Sequence, residues 1–238
     1  MTFATPRSRA RRIAGRSAIA VVVSVTATIV GVASPAFASA TGSATLAGYS
    51  ATPTNGVASA TATFRVPTID CTSGTTEGQF LGVGDPTTID TGSGHTVLAA
   101  VFLRCIGTTP DYQCEAYVNQ TFDFQTGVNP GDTVETSMFQ TGTQEGAETL
   151  DLTNGQHCSD VTNPVPTTTI AAGLLAEGIG TPIAPFGHSA FSSVQINGHH
   201  LSSESPTKYK LASGATTLAK PSAIASSGAS FTVRFEAS

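Results

Sequence analysis

The stretch ASATATFRV, residues 58–66, alternates small or apolar side chains with polar ones at every second position. The first set is Ala58, Ala60, Ala62, Phe64 and Val66, and the second is Ser59, Thr61, Thr63 and Arg65. Successive side chains of a strand point to opposite faces, so this period of two predicts a β-strand with one buried and one solvated face. Pro67 is expected to end the strand.

Other segments show related patterns, separated by turn-forming residues. The run TVLAAVFLRCI is apolar on both faces until Arg104, which predicts a strand in the middle of a sheet. Turns are predicted at the Pro-Gly pair of VNPGD and at Asn154-Gly155, a dipeptide that tolerates positive φ. Further strands are predicted at 96–106, 113–124, 133–139, 167–176, 190–196, 208–211 and 231–236.

With the strands of the hairpin predicted around Asn154-Gly155, these segments amount to at least nine short strands, and no amphipathic helix is evident. Charged residues make up only 11% of the chain, whereas long helices favour Glu, Lys and Arg. The sequence therefore predicts an all-β fold, a two-sheet antiparallel β-sandwich of the jelly-roll type. Within it, residues 202–230 are rich in Ser, Ala, Thr and Pro and are expected to form a loop or loosely held strands.

The first forty residues have the features of a signal peptide. Five arginines precede an apolar stretch at 18–32, and small residues allow cleavage after Ala38 or Ala40. We expect residues 1–40 to be removed, leaving 41–238 as a single secreted, extracellular domain that is not membrane-bound; a retained anchor is the alternative. The leader contains five of the eleven basic residues and none of the sixteen acidic ones, so the remainder carries a net charge near −10. Such a charge disfavours nucleic acid and anionic membranes as partners.

The four cysteines form an even set, which predicts two disulfides in an exported chain. Three pairings are possible. Cys105 and Cys114 flank a turn-rich segment between two predicted strands, which favours a bridge across that hairpin and leaves Cys71 to pair with Cys158. No C-x-x-C spacing is present, and no metal or other cofactor is predicted.

Several blocks, in order, resemble the glutamic endopeptidases (eqolisins), which are exported, acid-acting proteases with a concanavalin-like sandwich. They cover about residues 48–200, and none is specific alone. The blocks are Gly48-Tyr49, ATATFRVPTIDC, FLGVGD at 80–85, AGLLAE at 172–177 followed by Pro-Phe, and FSSVQING at 191–198.

The resemblance implies a catalytic pair, a glutamate that transfers protons and a glutamine that positions water and stabilises the oxyanion. The family glutamine aligns with Leu98 or Ala99, depending on a one-residue shift, and the glutamate aligns with Gly173. None of these side chains can perform either role. Glu177 matches a second, non-catalytic glutamate of the family, and the tryptophans that line the family cleft are absent.

The sequence therefore predicts a non-catalytic relative that binds an extended peptide or polysaccharide on its concave sheet. Gln113, Glu115 and Tyr117, which share one face of a predicted strand, are the candidate cleft residues. One alternative is an acid-active endopeptidase with a site rebuilt around Glu115 or Glu177. Another is a surface or matrix protein that functions only in display.

Overall fold

Sixteen β-strands and one short 3₁₀ helix, Leu201–Glu204, form the secondary structure of the described part of the chain. The computed structural model describes residues 39–76, 78–86, 97–119, 121–164, 166–176 and 183–236, so most of the predicted leader lies outside it. No helix among these residues is long and apolar enough to cross a membrane. The strands are β1 Thr41–Ser43, β2 Leu46–Ala51, β3 Ser59–Arg65, β4 Gln79–Gly84, β5 Val97–Ile106, β6 Thr109–Val118, β7 Thr121–Thr126, β8 Thr133–Gln140, β9 Glu145–Asp151, β10 His157–Thr162, β11 Ile170–Ala176, β12 His188–Ile196, β13 His199–His200, β14 Thr207–Ser213, β15 Thr216–Pro221 and β16 Phe231–Phe235.

The strands hydrogen-bond in one continuous order, β10-β9-β8-β3-β12-β16-β15-β14-β2-β11-β4-β5-β6-β7. All ladders among the described residues are antiparallel except that of β1 with β14. A disulfide between Cys114 on β6 and Cys158 on β10 connects strands near opposite ends of this order. The order therefore folds back on itself, with β10 to β15 in the first layer and β14 to β7 in the second. The predicted two-sheet β-sandwich is confirmed.

Aromatic rings from both layers form the centre of the core between them. Phe64, Phe191 and Phe231 come from neighbouring strands of the first layer, and their ring centroids are 5.1 and 5.0 Å apart in that order. Tyr49 of the second layer meets Phe231 edge-on at 5.0 Å and donates a hydrogen bond to the carbonyl of Ser222. Burial raises the pKa of the Tyr49 phenol, which keeps this donor protonated.

Most predicted strands occur where the patterns indicate. β3 shows the expected alternation, since Ala60, Ala62 and Phe64 are buried while the intervening residues are more exposed. The Asn154-Gly155 turn is also confirmed, because Gly155 has a φ of 81° between β9 and β10. The 202–230 segment contains β14 and β15, which pair with each other and with β2 and β16.

The single strand predicted at 113–124 is wrong. The structure divides it into β6 and β7, which form a tight hairpin in which Val118 pairs with Thr121. Asn119 has a φ of 48°, a left-handed conformation that asparagine tolerates in turns. Polar and apolar residues alternate with the same phase before and after this turn, so the pattern alone did not mark it.

The predicted disulfide pairing is also wrong, although two disulfides are present. In the β5–β6 hairpin Cys114 lies opposite Val101, four residues before Cys105. This offset corresponds to about 13 Å along the strand, beyond the reach of a disulfide. The bridges are instead Cys71–Cys105 and Cys114–Cys158.

Candidate functional site

Three glycines lie side by side in the second layer and are called the glycine row. Gly173 on β11 pairs with Gly48 on β2 and with Gly82 on β4. A Cβ atom built on Gly48 would lie 2.2 Å from the carbonyl oxygen of Ala172, and one on Gly82 would lie 2.1 Å from that of Ala99. Both distances are far inside van der Waals contact, so the row has room only for backbone.

Gly173 is the member of the row that aligns with the glutamate of the eqolisin pair. Its φ is 149°, which lies in a region that side-chain-bearing residues rarely adopt. A Cβ atom there would lie 2.4 Å from the carbonyl oxygen of Ala47 and 2.8 Å from the Cα of Gly48. The backbone of β2 thus occupies the space that a side chain would need.

The two positions that align with the family glutamine lie on opposite faces of β5. Ala99 is fully buried in the core between the layers. Leu98 points to the other side, here called the outer face, as does Ala100, which pairs with Gly82. Because Gly82 also pairs with Gly173, Gly173 lies on the outer face too. Of the two positions that align with the family glutamine, only Leu98 therefore shares a face with Gly173. The buried apolar side chains of the outer face are Leu46, Phe80, Leu98, Ala100, Phe102, Ala171 and Leu175.

The three predicted cleft residues lie together on the outer face. Gln113, Glu115 and Tyr117 are half-buried, while the alternate residues of β6 point into the core. On β7, Phe124 pairs with Glu115 and Phe122 pairs with Tyr117. The five residues Gln113, Glu115, Tyr117, Phe122 and Phe124 are called the β6–β7 face.

Aromatic rings dominate the solvent-exposed part of this face. Phe122 and Phe124 are 62% and 52% exposed. Their ring planes are 21° apart with centroids 5.7 Å apart, and Tyr117 lies 6.4 Å from Phe122 at 13°. Exposed large apolar side chains grouped in this way often indicate a binding surface. Tyr117 was predicted from the sequence as a cleft residue, whereas the two phenylalanines were not, because their strand was not separated from β6.

One carboxylate and one amide side chain do meet near this face, at Asp111 and Gln113. The Gln113 amide donates to Asp111 Oδ2 at 3.1 Å, and Arg104 Nε donates to the same oxygen at 2.9 Å. Arg104 also lies over the ring of Phe102, 5.2 Å from its centroid. In a proton-transferring pair, both groups would instead contact one water molecule. This arrangement is an ion pair with an added amide donor and is not a catalytic pair.

Two further carboxyl groups, Asp132 and Asp151, meet at the turns that precede β8 and follow β9. Asp151 is fully buried, and Thr153 N donates to its Oδ1 at 2.8 Å. Asp132 Oδ2 accepts a 2.8 Å hydrogen bond from Asn129 N. Burial, followed by the hydrogen bond and negative charge of Asp132, raises the pKa of Asp151. Because neither carboxyl is accessible, we assign the pair a structural role.

Glu177 is the last of the site residues predicted from the sequence; three histidines of β12 and β13, which were not predicted as site residues, are also among the described residues. Glu177 lies outside the described residues. His199 and His200 are exposed on β13, and His188 begins β12. Within the described ranges, no group of three or more His, Cys, Asp or Glu side chains could hold a metal ion.

Gly173 was singled out from the sequence, but the glycine row was not predicted. The signal was present, because Gly48, Gly82 and Gly173 each lie inside a strand whose other residues are all buried. Glycine in such a position indicates a close approach of neighbouring backbone. The cross-strand register that aligns the three residues was not available from the sequence.

Comparison with known proteins gives a match at the level of three-dimensional structure. No family model matches the sequence, and no curated protein matches it. Two solved structures of scytalido-glutamic peptidase are similar: one with a transition state analog inhibitor at TM-score 0.60 and 17% identity, the other with a peptide-based transition state analog at 0.64 and 16%. SCP-B, a member of the Eqolisin family of peptidases, in complex with the tripeptide Ala-Ile-His, matches at TM-score 0.60 and 16% identity.

Each match covers 82% of this chain and 100% of the other chain. Identity is low throughout, so the similarity concerns the path of the backbone and carries no residue role with it. The expectation drawn from the sequence blocks is confirmed at this level. The chain has the β-sandwich fold of the glutamic peptidases.

Proposed function

We propose that this protein is an exported, non-catalytic member of the glutamic-peptidase fold that binds an extended peptide or polysaccharide on its outer face. The observation that carries the proposal is the close packing at Gly173. At that position the backbone of β2 excludes even a Cβ atom. The aligned site therefore has neither a proton carrier nor space for one.

The second aligned position supports the same conclusion. Leu98 shares the outer face with Gly173 and has no hydrogen-bonding group, so it cannot position water or stabilise an oxyanion. General acid–base catalysis and oxyanion stabilisation each contribute a factor of about 10² or more to rates. A site that lacks both groups is not expected to cleave peptides at a useful rate.

Binding is assigned to the β6–β7 face because its side chains combine apolar area with hydrogen-bonding groups. Phe122 and Phe124 provide exposed rings, while Gln113, Glu115 and Tyr117 provide an amide, a carboxylate and a phenol beside them. Ligand sites usually join apolar contact area to a few oriented polar groups. This composition suits a neutral glycan or a peptide equally well.

A second candidate is an acid-active endopeptidase with a rebuilt site. It is favoured by the position of Glu115, whose side chain lies on the same face as that of Gln113, two residues away. Against it, Gln113 already donates to Asp111. This candidate requires the amide to leave Asp111 when substrate binds.

The two candidates are separated by assaying the purified secreted protein on denatured casein between about pH 2 and 5, where a glutamic-type site would act. We expect no cleavage. The control is Glu135→Gln, at an exposed position of β8. If casein is hydrolysed, and if Glu115→Gln or Glu177→Gln abolishes this hydrolysis while Glu135→Gln does not, the protein is an endopeptidase.

Binding is tested in parallel by retention on immobilised denatured casein and on insoluble glycans. We expect retention on one of these supports, and loss of it in Tyr117→Ala. N-terminal sequencing of the protein recovered from culture medium tests export, with cleavage expected after Ala38 or Ala40. Recovery only in the cell fraction would contradict the export part of the proposal.

A further inference from the structure

The strand β7 is an open edge of the second layer. It is the last strand in the hydrogen-bonded order, and within the described ranges β6 is its only ladder partner. Among the described residues, no backbone group of Thr121–Thr126 hydrogen-bonds outside that ladder. Half of the N–H and C=O groups of such a strand point away from the sheet and are available to another chain.

This edge lacks three of the features that usually prevent strand addition, namely lysine, proline and a bulge, although Asp123 is a charged residue that points inward. Natural edge strands are often protected by lysine, proline or a bulge, whereas the sequence of β7, TFDFQT, contains neither residue and its register with β6 is regular. Its only charged residue, Asp123, accepts a 3.1 Å hydrogen bond from Ser159 N on β10. The edge is thus open to pairing.

The two faces of β7 differ in chemistry. Phe122 and Phe124 point to the outer face, and Asp123 points to the side of β10. There Asp160 accepts hydrogen bonds from the Thr121 hydroxyl at 2.7 Å and from Val118 N at 3.2 Å.

The charges around the edge are predominantly negative. The strands β6, β7 and β10 together carry four carboxylates and no lysine or arginine. Asp111 pairs with Arg104 on β5, while Asp123 and Asp160, which lie beside the edge, accept hydrogen bonds from the neutral groups given above. The charge of this edge is therefore complementary to a cationic partner.

We propose that the β7 edge binds an extended peptide with alternating apolar and basic side chains, which adds to the second layer as a further strand. Side chains of an added strand lie about 5 Å from those directly opposite. One set would contact Phe122 and Phe124, and the alternate set would lie beside Asp123 and Asp160. Backbone pairing supplies affinity and alternate side chains supply specificity in this mode of recognition. The inference selects a ligand class for the binding role proposed above and rests on that role.

A peptide is favoured over a glycan at this edge because of the backbone groups. A glycan stacks on aromatic rings but does not match the repeat of N–H and C=O groups along a strand. A peptide uses both the rings and the backbone. The test therefore separates backbone pairing from contact with the face.

The probes are fluorescein-labelled peptides of alternating lysine and valine, measured with the full-length secreted protein by fluorescence anisotropy. Four control peptides share their length. One has the lysines and valines in two blocks, one has glutamate in place of lysine, and two are the alternating sequence N-methylated at even or at odd positions. We expect the alternating peptide to bind at least about tenfold more tightly than the blocked or glutamate sequences, a difference of about 1.4 kcal/mol. One of the two N-methylated peptides should lose binding while the other retains it.

Variants locate the site on the protein. Phe124→Thr keeps a strand-forming residue at an exposed position, so the fold is expected to persist, and circular dichroism checks this. Phe124→Thr and Asp123→Asn should each weaken the alternating peptide about fivefold or more. Val161→Thr, at an exposed position of β10 that is not on β7, is the matched control and should have no effect.

Four outcomes would overturn the inference. They are equal binding of both N-methylated peptides, insensitivity to Phe124→Thr, binding of the glutamate peptide in place of the lysine peptide, and a dimer in sedimentation that dissociates in Phe124→Thr without peptide binding. The last would show that a second copy of the chain occupies the edge. If retention on casein or glycan is lost in Tyr117→Ala but not in Phe124→Thr, this is a case of the second outcome. It would contradict the edge inference and leave the proposed function standing.

Discussion

Substitution of Gly173 by alanine tests the structural basis of the proposed loss of catalysis. The added Cβ would lie 2.4 Å from the carbonyl oxygen of Ala47 and 2.8 Å from the Cα of Gly48, and both atoms belong to the backbone of a paired strand. Relief requires β2 and β11 to move apart, which weakens their ladder. A side chain at the observed φ of 149° adds backbone strain of about 1–3 kcal/mol, and overpacking adds about 1–3 kcal/mol.

We therefore expect Gly173→Ala to reduce the free energy of unfolding by about 2–6 kcal/mol, the sum of these two effects. That is a large part of the total stability of a typical domain. The assay is urea denaturation followed by tyrosine fluorescence, with equal denaturant slopes required for the comparison.

The matched control is Gly142→Ala in the turn between β8 and β9. A Cβ atom there has no heavy atom within 4 Å, and its φ is not in the left-handed range. We expect this change to alter stability by less than about 0.5 kcal/mol. If Gly173→Ala also cost less than about 1 kcal/mol, the glycine row would be able to accept side chains. A glutamate side chain would then also have room at position 173.

Other predictions concern catalysis, pH and disulfides. The double variant Gly173→Glu/Leu98→Gln should gain no activity on casein, because the glutamate has no room; activity in folded protein would contradict the packing argument. Burial and Asp132 raise the pKa of Asp151, so the wild-type free energy of unfolding should fall as pH rises above about 4. Asp151→Asn should reduce this decline, and identical pH profiles in chemical denaturation would count against the carboxyl pair. Replacing both Cys114 and Cys158 by serine opens a loop of 44 residues and should cost about 4 kcal/mol in a thermal or urea unfolding series. No change would mean that the bridge does not form in solution.

Much of the fold could be predicted from the sequence because individual strands are encoded locally. The alternation at Ala60, Ala62 and Phe64 reports a strand with one buried face wherever it is placed in the sheet. The hairpin at Asn119 was missed because its turn interrupts the chain without changing the phase of the pattern. Local periodicity thus predicts strands better than it predicts where they end.

Contacts between distant segments were much less accessible. The bridge from Cys114 to Cys158 depends on how the layers fold over one another, and the spacing of cysteines does not contain that information. The same holds for the proximity of Phe124 to Glu115, which follows from the register of a hairpin. Candidate residues were therefore found singly, and their grouping required the structure.

The Cys114–Cys158 bridge has a consequence for how the two layers can come apart. A continuous sheet normally unfolds first at its outermost strands, because each of these strands hydrogen-bonds to only one neighbour. Here the covalent link joins β10, the first strand of the order, to β6, the strand next to the last, so these two strands cannot separate fully from each other. The two layers are also joined by the pairing of β14 with β15, whose register shifts between Leu211 and Ala212. We expect the layers to separate first at this irregular ladder. Opening from an interior position would slow unfolding, and resistance to proteolysis depends on that rate when cleavage is faster than reclosing.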